Sequence, residues 1–202
     1  MPEHSAVPPP GTFWVMDLSE LPPPEAATSP AIFSRASREE VAEIAAASGS
    51  RPYEVRRRLA SGRRCYLGRV AGTPAAAGWV SFDRESIGEQ GLRLQLERGE
   101  AYVLNCVTAP AYRRRGLYSE LLRHIAAALR VEGLRRLWIG ADLDNLPSLK
   151  GMARAGFQPV LDLYTYLADG RREFRLVGRP GVSSALLAEA RRVLLGGQPA
   201  DG

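Results

Sequence analysis

A chain of 202 residues, 45% of them hydrophobic, can fill one well-buried core with length to spare at its ends, while two domains would be tight. The formal net charge of +5 and the pI near 9.6 suit a phosphate-bearing ligand, yet 22 acidic residues are interleaved with 27 basic ones, so a single local basic patch is expected and nucleic acid is not the expected partner. No run approaches the roughly 20 apolar residues that cross a bilayer, no signal-peptide pattern opens the chain, and Cys65 and Cys106 lack metal-ligand spacing, so a cytoplasmic protein with buried free thiols, no metal and no membrane partner is the expectation.

Residues 1–32 are proline-rich at both ends, with Pro8–Pro10 and Pro22–Pro24 bracketing the run Thr12–Leu18. Proline removes a donor and fixes φ, so the flanks read as an irregular extension and the bracketed run as a first edge strand. The main domain is expected over 33–178. Ser37 and Glu40 have capping-box spacing ahead of the periodic Val41, Ile44 and Ala45, and Gly49 ends that helix. A second helix opens at Pro52 and runs to Gly62. Arg64–Ala71 and Ala75–Asp83 read as strands joined at Gly72–Pro74, and 91–97 alternates strictly, as a half-exposed strand or arm does. A central strand follows from Ala101, a helix over 117–132, a strand over 134–141, a short helix from Pro147, and two strands joined at Asp169-Gly170. Residues 179–202 read as a last amphipathic helix over 182–195 and a loose tail. The apolar stripe of that helix (Leu186, Leu187, Val193, Leu194) could cover the sheet or a second subunit in a homodimer. The order of elements predicts an α/β fold, a mixed central sheet with helices on both faces.

The chemistry concentrates in Tyr102–Leu122. A β-branched and aromatic run turns at Pro110, passes Arg113, Arg114, Arg115 and Gly116, and enters a helix near Leu117. The first amides of a helix have no partner inside it and carry partial positive charge, which makes such a junction an anion site. Taken alone, a strand–loop–helix anion site is a common signal. The sequence Arg113-x-x-Gly116 nevertheless resembles the pyrophosphate loop of the GNAT N-acetyltransferases, usually Arg/Gln-x-x-Gly-x-Gly/Ala. About thirty residues on, Asn145, Ser148, Arg154, Gly156 and Phe157 fall on that family's Asn-x-x-Ala/Ser-x-x-x-Tyr-x-Lys/Arg-x-Gly-Phe pattern.

The resemblance implies acetyl-CoA, or another acyl-CoA, as co-substrate and direct transfer to the amine of a small molecule or protein whose identity the sequence leaves open. It places the pantetheine arm in a wedge between two splayed parallel strands, with Cys106, Val107 and Thr108 on one wall and the end of the Leu137 strand on the other. Arg113, Arg114, Arg115, Gly116, Leu117, Tyr118 and Ser119 would hold the pyrophosphate, and Asn145, Ser148 and Arg154 would complete the cofactor contacts. An alkylamine with pKa near 10.4 must shed a proton before it attacks. Glu100, with Tyr102 two residues on along the same face, is the base that the central strand offers. Two departures stand out: Met152 occupies the position of the family's proton-donating tyrosine, and Tyr118 that of a small loop residue. The first motivates a second reading, an acyl-CoA-binding sensor without turnover.

Overall fold

The structure, a computed structural model, describes residues 8–21, 30–87, 92–169 and 171–196. Along the chain these form β1 (Gly11–Asp17), β2 (Ala31–Arg35), α1 (Val41–Ser48), α2 (Pro52–Ala60), β3 (Arg64–Val70), β4 (Thr73–Ser81), β5 (Arg84–Ile87), β6 (Leu92–Gln95), β7 (Glu100–Thr108), α3 (Leu117–Val131), β8 (Arg136–Asp142), α4 (Leu146–Ala155), β9 (Gln158–Ala168), β10 (Arg171–Gly178) and α5 (Ser184–Leu195). Eight strands make one sheet in the order β10-β9-β1-β8-β7-β4-β3-β2, while β5 and β6 pair separately as an arm. Every neighbour in the large sheet is antiparallel except β7 with β8.

Helices cover both faces because the strands are apolar on both. On one face α3 buries Leu121, Leu122, Ile125 and Leu129 against Val80, Val103, Leu137 and Ile139, and α4 adds Met152 and Ala155. Truncating any one of those four α3 side chains to alanine should cost about 2–5 kcal/mol. On the other face α1 and α2 pack Ile44, Val55 and Leu59 on Cys65, Leu67 and Trp79. Beside them the β5–β6 arm and α5 cover Phe13, Tyr102, Trp138 and Leu161. The stripe on α5 is therefore spent on its own sheet, with Val193 fully buried and Leu186 and Leu187 packed alongside.

Two local readings change. The run bracketed by prolines is no edge strand: β1 lies inside the sheet, antiparallel to β8 on one side and to β9 on the other. Its residues Phe13 to Met16 are buried on both faces, which a seven-residue run with apolar side chains on successive positions allows. The true edge beyond β3 is β2, five residues too short and too mixed to stand out. The β3–β4 turn is Ala71-Gly72, both at positive φ, with Val70 facing Thr73. The β9–β10 hairpin forms as expected, with Ala168 facing Arg171, although Gly170 itself lies outside the described residues.

Candidate active site

The site originates in how β7 and β8 run together. Parallel pairing lasts four residue pairs, from Glu100–Arg136 to Val103–Ile139. Beyond it β7 continues to Thr108 and β8 to Asp142, with no ladder between them. A bulge drives the parting: Trp79 faces Leu104 and Ala77 faces Val107, so β7 carries one residue more than β4 over this stretch, and Asn105 sits at φ +47°. Such an insertion bends the bulged strand and raises its twist, turning it away from β8, and asparagine tolerates the left-handed backbone.

The gap opens a cavity of about 550 Å³ that passes through the sheet. Leu104–Cys106 and Ile139–Asp142 form its facing walls. On the α3–α4 side it meets Tyr118, Asn145 and Ser148, and on the arm side Glu85, Ser86, Ile87 and Tyr102, with Gly11–Phe13 of β1 closing one flank. At Gly140 a Cβ would come within 3.2 Å of the Tyr102 hydroxyl, so the glycine keeps the slot open there.

At one mouth of the slot the chain turns through Pro110–Tyr112 into three exposed arginines and Gly116, at φ +81°, which precedes the first turn of α3. No side chain caps that turn. Leu117 and Ser119 turn their side chains into the protein, 2% and 6% exposed, while the start of the helix remains open. Arg113 donates from Nε to the Thr108 carbonyl at 3.2 Å, and Arg115 lies over the Tyr112 ring, so two of the arginines are braced in place. The Thr108 hydroxyl is buried without a partner, a cost that a ligand's acceptor or a water would relieve.

The second motif lands beside the first. Asn145 caps α4, its Oδ1 accepting from the Ser148 amide at 3.2 Å, and both residues line the cavity. Tyr118 does not crowd the loop. Its ring turns sideways onto α4, where a Cβ on Gly151 would lie 2.4 Å from it, and its hydroxyl pairs with the Ser148 side chain. Burial pushes that phenol's pKa up. Met152 is fully buried in the core. Arg154 is exposed outside the cavity, where its carbonyl accepts from Arg123. Cys106 borders the slot, but burial raises its thiol to about 12, far from a nucleophilic thiolate.

The two residues read as catalytic part company. Tyr102 lines the arm side of the cavity, buried beside Phe13 and held by a main-chain hydrogen bond with Gly140, and its phenol is shifted upward chiefly by burial. Glu100 is at the zipped end of β7, away from the cavity. Its Oε1 accepts from Arg192 of α5 at 2.7 Å and its Oε2 from the Glu97 amide at 2.8 Å, so both oxygens are committed to structure. Two carboxylates do line the cavity, Asp142 at the end of β8 and, on the arm side, Glu85, which the sequence did not single out. Arg63 grips Glu85 with Nε at 2.6 Å and Nη2 at 2.8 Å, and the Ser86 amide adds a third bond. Nothing in Asp83–Ile87 marks it beforehand, since its place depends on the arm folding back over β7.

Comparison with known proteins accords with this geometry. The acetyltransferase (GNAT) family model matches residues 31–157, from β2 through both motifs. No curated protein matches. Among solved structures, a GNAT-family acetyltransferase from Colwellia psychrerythraea is 15% identical at a TM-score of 0.55, covering 86% of this chain and 57% of that one. An acetyltransferase assigned to the family from Novosphingobium aromaticivorans is 18% identical at 0.54, covering 85% of this chain and 65% of that one. An N-acetyltransferase from Staphylococcus aureus is 16% identical at 0.52, covering 74% and 97%. The chain thus spans less than two thirds of the length of the first two structures, and these likenesses establish the fold. With the profile running through the parted strands and the open helix start together, the chain belongs to the GNAT acetyltransferase family, whose chemistry is acyl transfer.

Proposed function

We propose that this protein moves an acetyl or short acyl group from acyl-CoA to an amine by direct attack. The observation that carries this reading is the four-pair β7–β8 ladder, which leaves main-chain groups of both strands without a strand partner next to an uncapped helix start. An extended pantetheine arm can take the place of the missing strand pairing. The diphosphate suits the amides from Gly116 to Ser119, with Arg113 to Arg115 neutralising its charge. The unpartnered Thr108 hydroxyl fits the same ligand.

In this reading the bound acyl-CoA supplies an activated carbonyl, and the chain supplies position and field. The Val107 amide is turned to β4, where Ala77 faces it, so the main-chain donor for the developing oxyanion is a neighbouring amide on the β8-facing edge of β7, that of Cys106 or Thr108. The amine enters from the arm side, where Phe13, Ile87 and Tyr102 make an apolar wall around one carboxylate, Glu85. With three donors already on it, Glu85 is better suited to place a cationic amine than to remove its proton, so the proton leaves through water at the open mouth. The acceptor is therefore an amine with an apolar neighbour, on a small molecule or an extended peptide end.

Titration with acetyl-CoA, followed by thiol release over a panel of arylalkyl, polycationic and peptide amines, tests this. Saturable binding with release fastest for an apolar primary amine supports it. Binding with no release across the panel favours the sensor reading, which the buried Met152 motivates. Absence of binding overturns both.

A further inference from the structure

A thioester's departing sulfur gathers negative charge as its bond to the acyl carbon breaks, and a donor that meets this charge lowers the barrier. Several side chains on the cavity wall carry donors, and position decides among those near the middle of the parted strands. Tyr102 lies on the arm side of the sheet, away from α3 and α4, where its oxygen accepts from the Gly140 amide. The Cys106 sulfur is turned towards Gly78 and α3, where a Cβ on Gly78 would lie 2.9 Å from it. Met152, fully buried, has nothing to donate.

Tyr118 differs from all three. It springs from the first turn of α3, crosses to α4 and brings its hydroxyl beside Ser148 on the wall of the cavity that Cys106 and Tyr102 also line. That crossing depends on a residue without a side chain: a Cβ on Gly151 would sit 2.4 and 2.8 Å from two ring carbons. The pair Tyr118–Gly151 thus delivers from one helix a hydroxyl that its neighbour, with Met152, does not provide.

On the acyltransferase reading above, we propose that the Tyr118 hydroxyl is the donor that meets the charge forming on the departing sulfur, with Ser148 orienting it and Gly151 making room for its ring. The amine nitrogen forms the new bond to the acyl carbon and gives its proton to water. As the carbon–sulfur bond breaks, its electron pair passes to sulfur, which leaves as a thiolate hydrogen-bonded by the Tyr118 hydroxyl. The thiolate takes a proton from solvent on release. Tyr118 remains a neutral phenol throughout, as its buried setting favours.

Tyr118→Phe in the full chain keeps the ring on Gly151 and removes only the hydroxyl. Calorimetry with CoA and with desulfo-CoA provides a readout free of turnover. The wild type should prefer CoA increasingly as pH rises through about 8.5, where the thiol ionises, reaching about tenfold, and Tyr118→Phe should abolish that rise. With acetyl-CoA, kcat should fall roughly ten- to hundredfold at little change in KM. The deficit should shrink with the acetyl selenoester of CoA, whose more acidic leaving group needs less help. Tyr118→Phe with unchanged pH-dependent preference and unchanged kcat, or with an equal deficit for thioester and selenoester, overturns this assignment while the acyltransferase reading stands. Wild-type protein that binds neither CoA nor desulfo-CoA overturns both.

Discussion

The same two strands, β7 and β8, are zipped at one end and parted at the other, and the two ends do opposite work. At the zipped end Glu100 faces Arg136, and the charges close on each other: Glu100 with Arg192, Arg136 with Asp17 and Glu189. At the parted end the edges that β7 and β8 turn to each other lack a strand partner, the Thr108 hydroxyl is unsatisfied, and the flanking helix is uncapped. Polar groups that are satisfied hold a structure together, and polar groups left waiting are where a ligand can contribute. A carboxylate on the central strand is therefore not a catalytic base by virtue of its strand alone; its position along the ladder decides.

The comparison is sharpened by changes that should separate stability from binding. Among these changes the largest effect is expected from Glu100→Ala, which leaves the Glu97 amide without its acceptor and Arg192 with Glu97 as its remaining partner at this end. Urea unfolding should show a loss of about 2–3 kcal/mol with turnover per folded molecule retained, and a collapse of turnover in stable protein would return Glu100 to the mechanism. Gly151→Ala, ordinarily stabilising within a helix, should instead cost about 1–2 kcal/mol, because the Tyr118 ring must move, and should lower turnover as well. Arg113→Ala, at the parted end, should leave the melting temperature within a degree or two but weaken acetyl-CoA binding by about tenfold, with a shallower salt dependence by calorimetry. The smallest effect belongs to His124, half-buried near Phe33 and Tyr66, whose pKa burial lowers. An unfolded histidine takes its proton near pH 6.5 and the folded one only at lower pH, so stability should fall as pH drops through that range, and His124→Gln should flatten the slope between pH 7 and 5.5.

Much of this was legible in the sequence where the signal was local. The arginine–glycine junction, the helix α3 and the β9–β10 hairpin are fixed by nearest neighbours, and each falls close to its expected place. The wedge was legible as well, because the family resemblance implies it, and the four-pair ladder supplies its physical form. What escaped depends on distant pairing. The run Gly11–Asp17 has the composition of a buried strand, but only β8 and β9, over a hundred residues on, make it an interior one. Glu85 becomes a wall of the cavity through the fold of the arm and the grip of Arg63, from 22 residues away. The direction of the Tyr118 ring is set by a glycine on another helix, a contact that no periodicity encodes.

The account's central claim is that the parted end of β7 and β8, with the open start of α3, receives acyl-CoA. Amide hydrogen exchange on the full chain with and without acetyl-CoA tests it most directly, since it reads the main-chain groups in question. New protection concentrated in Leu104–Thr108, Gly116–Ser119 and Gly140–Asp142, with the zipped residues Glu100–Val103 unchanged, is the predicted result. Protection absent from those three segments at saturating acetyl-CoA would contradict the claim.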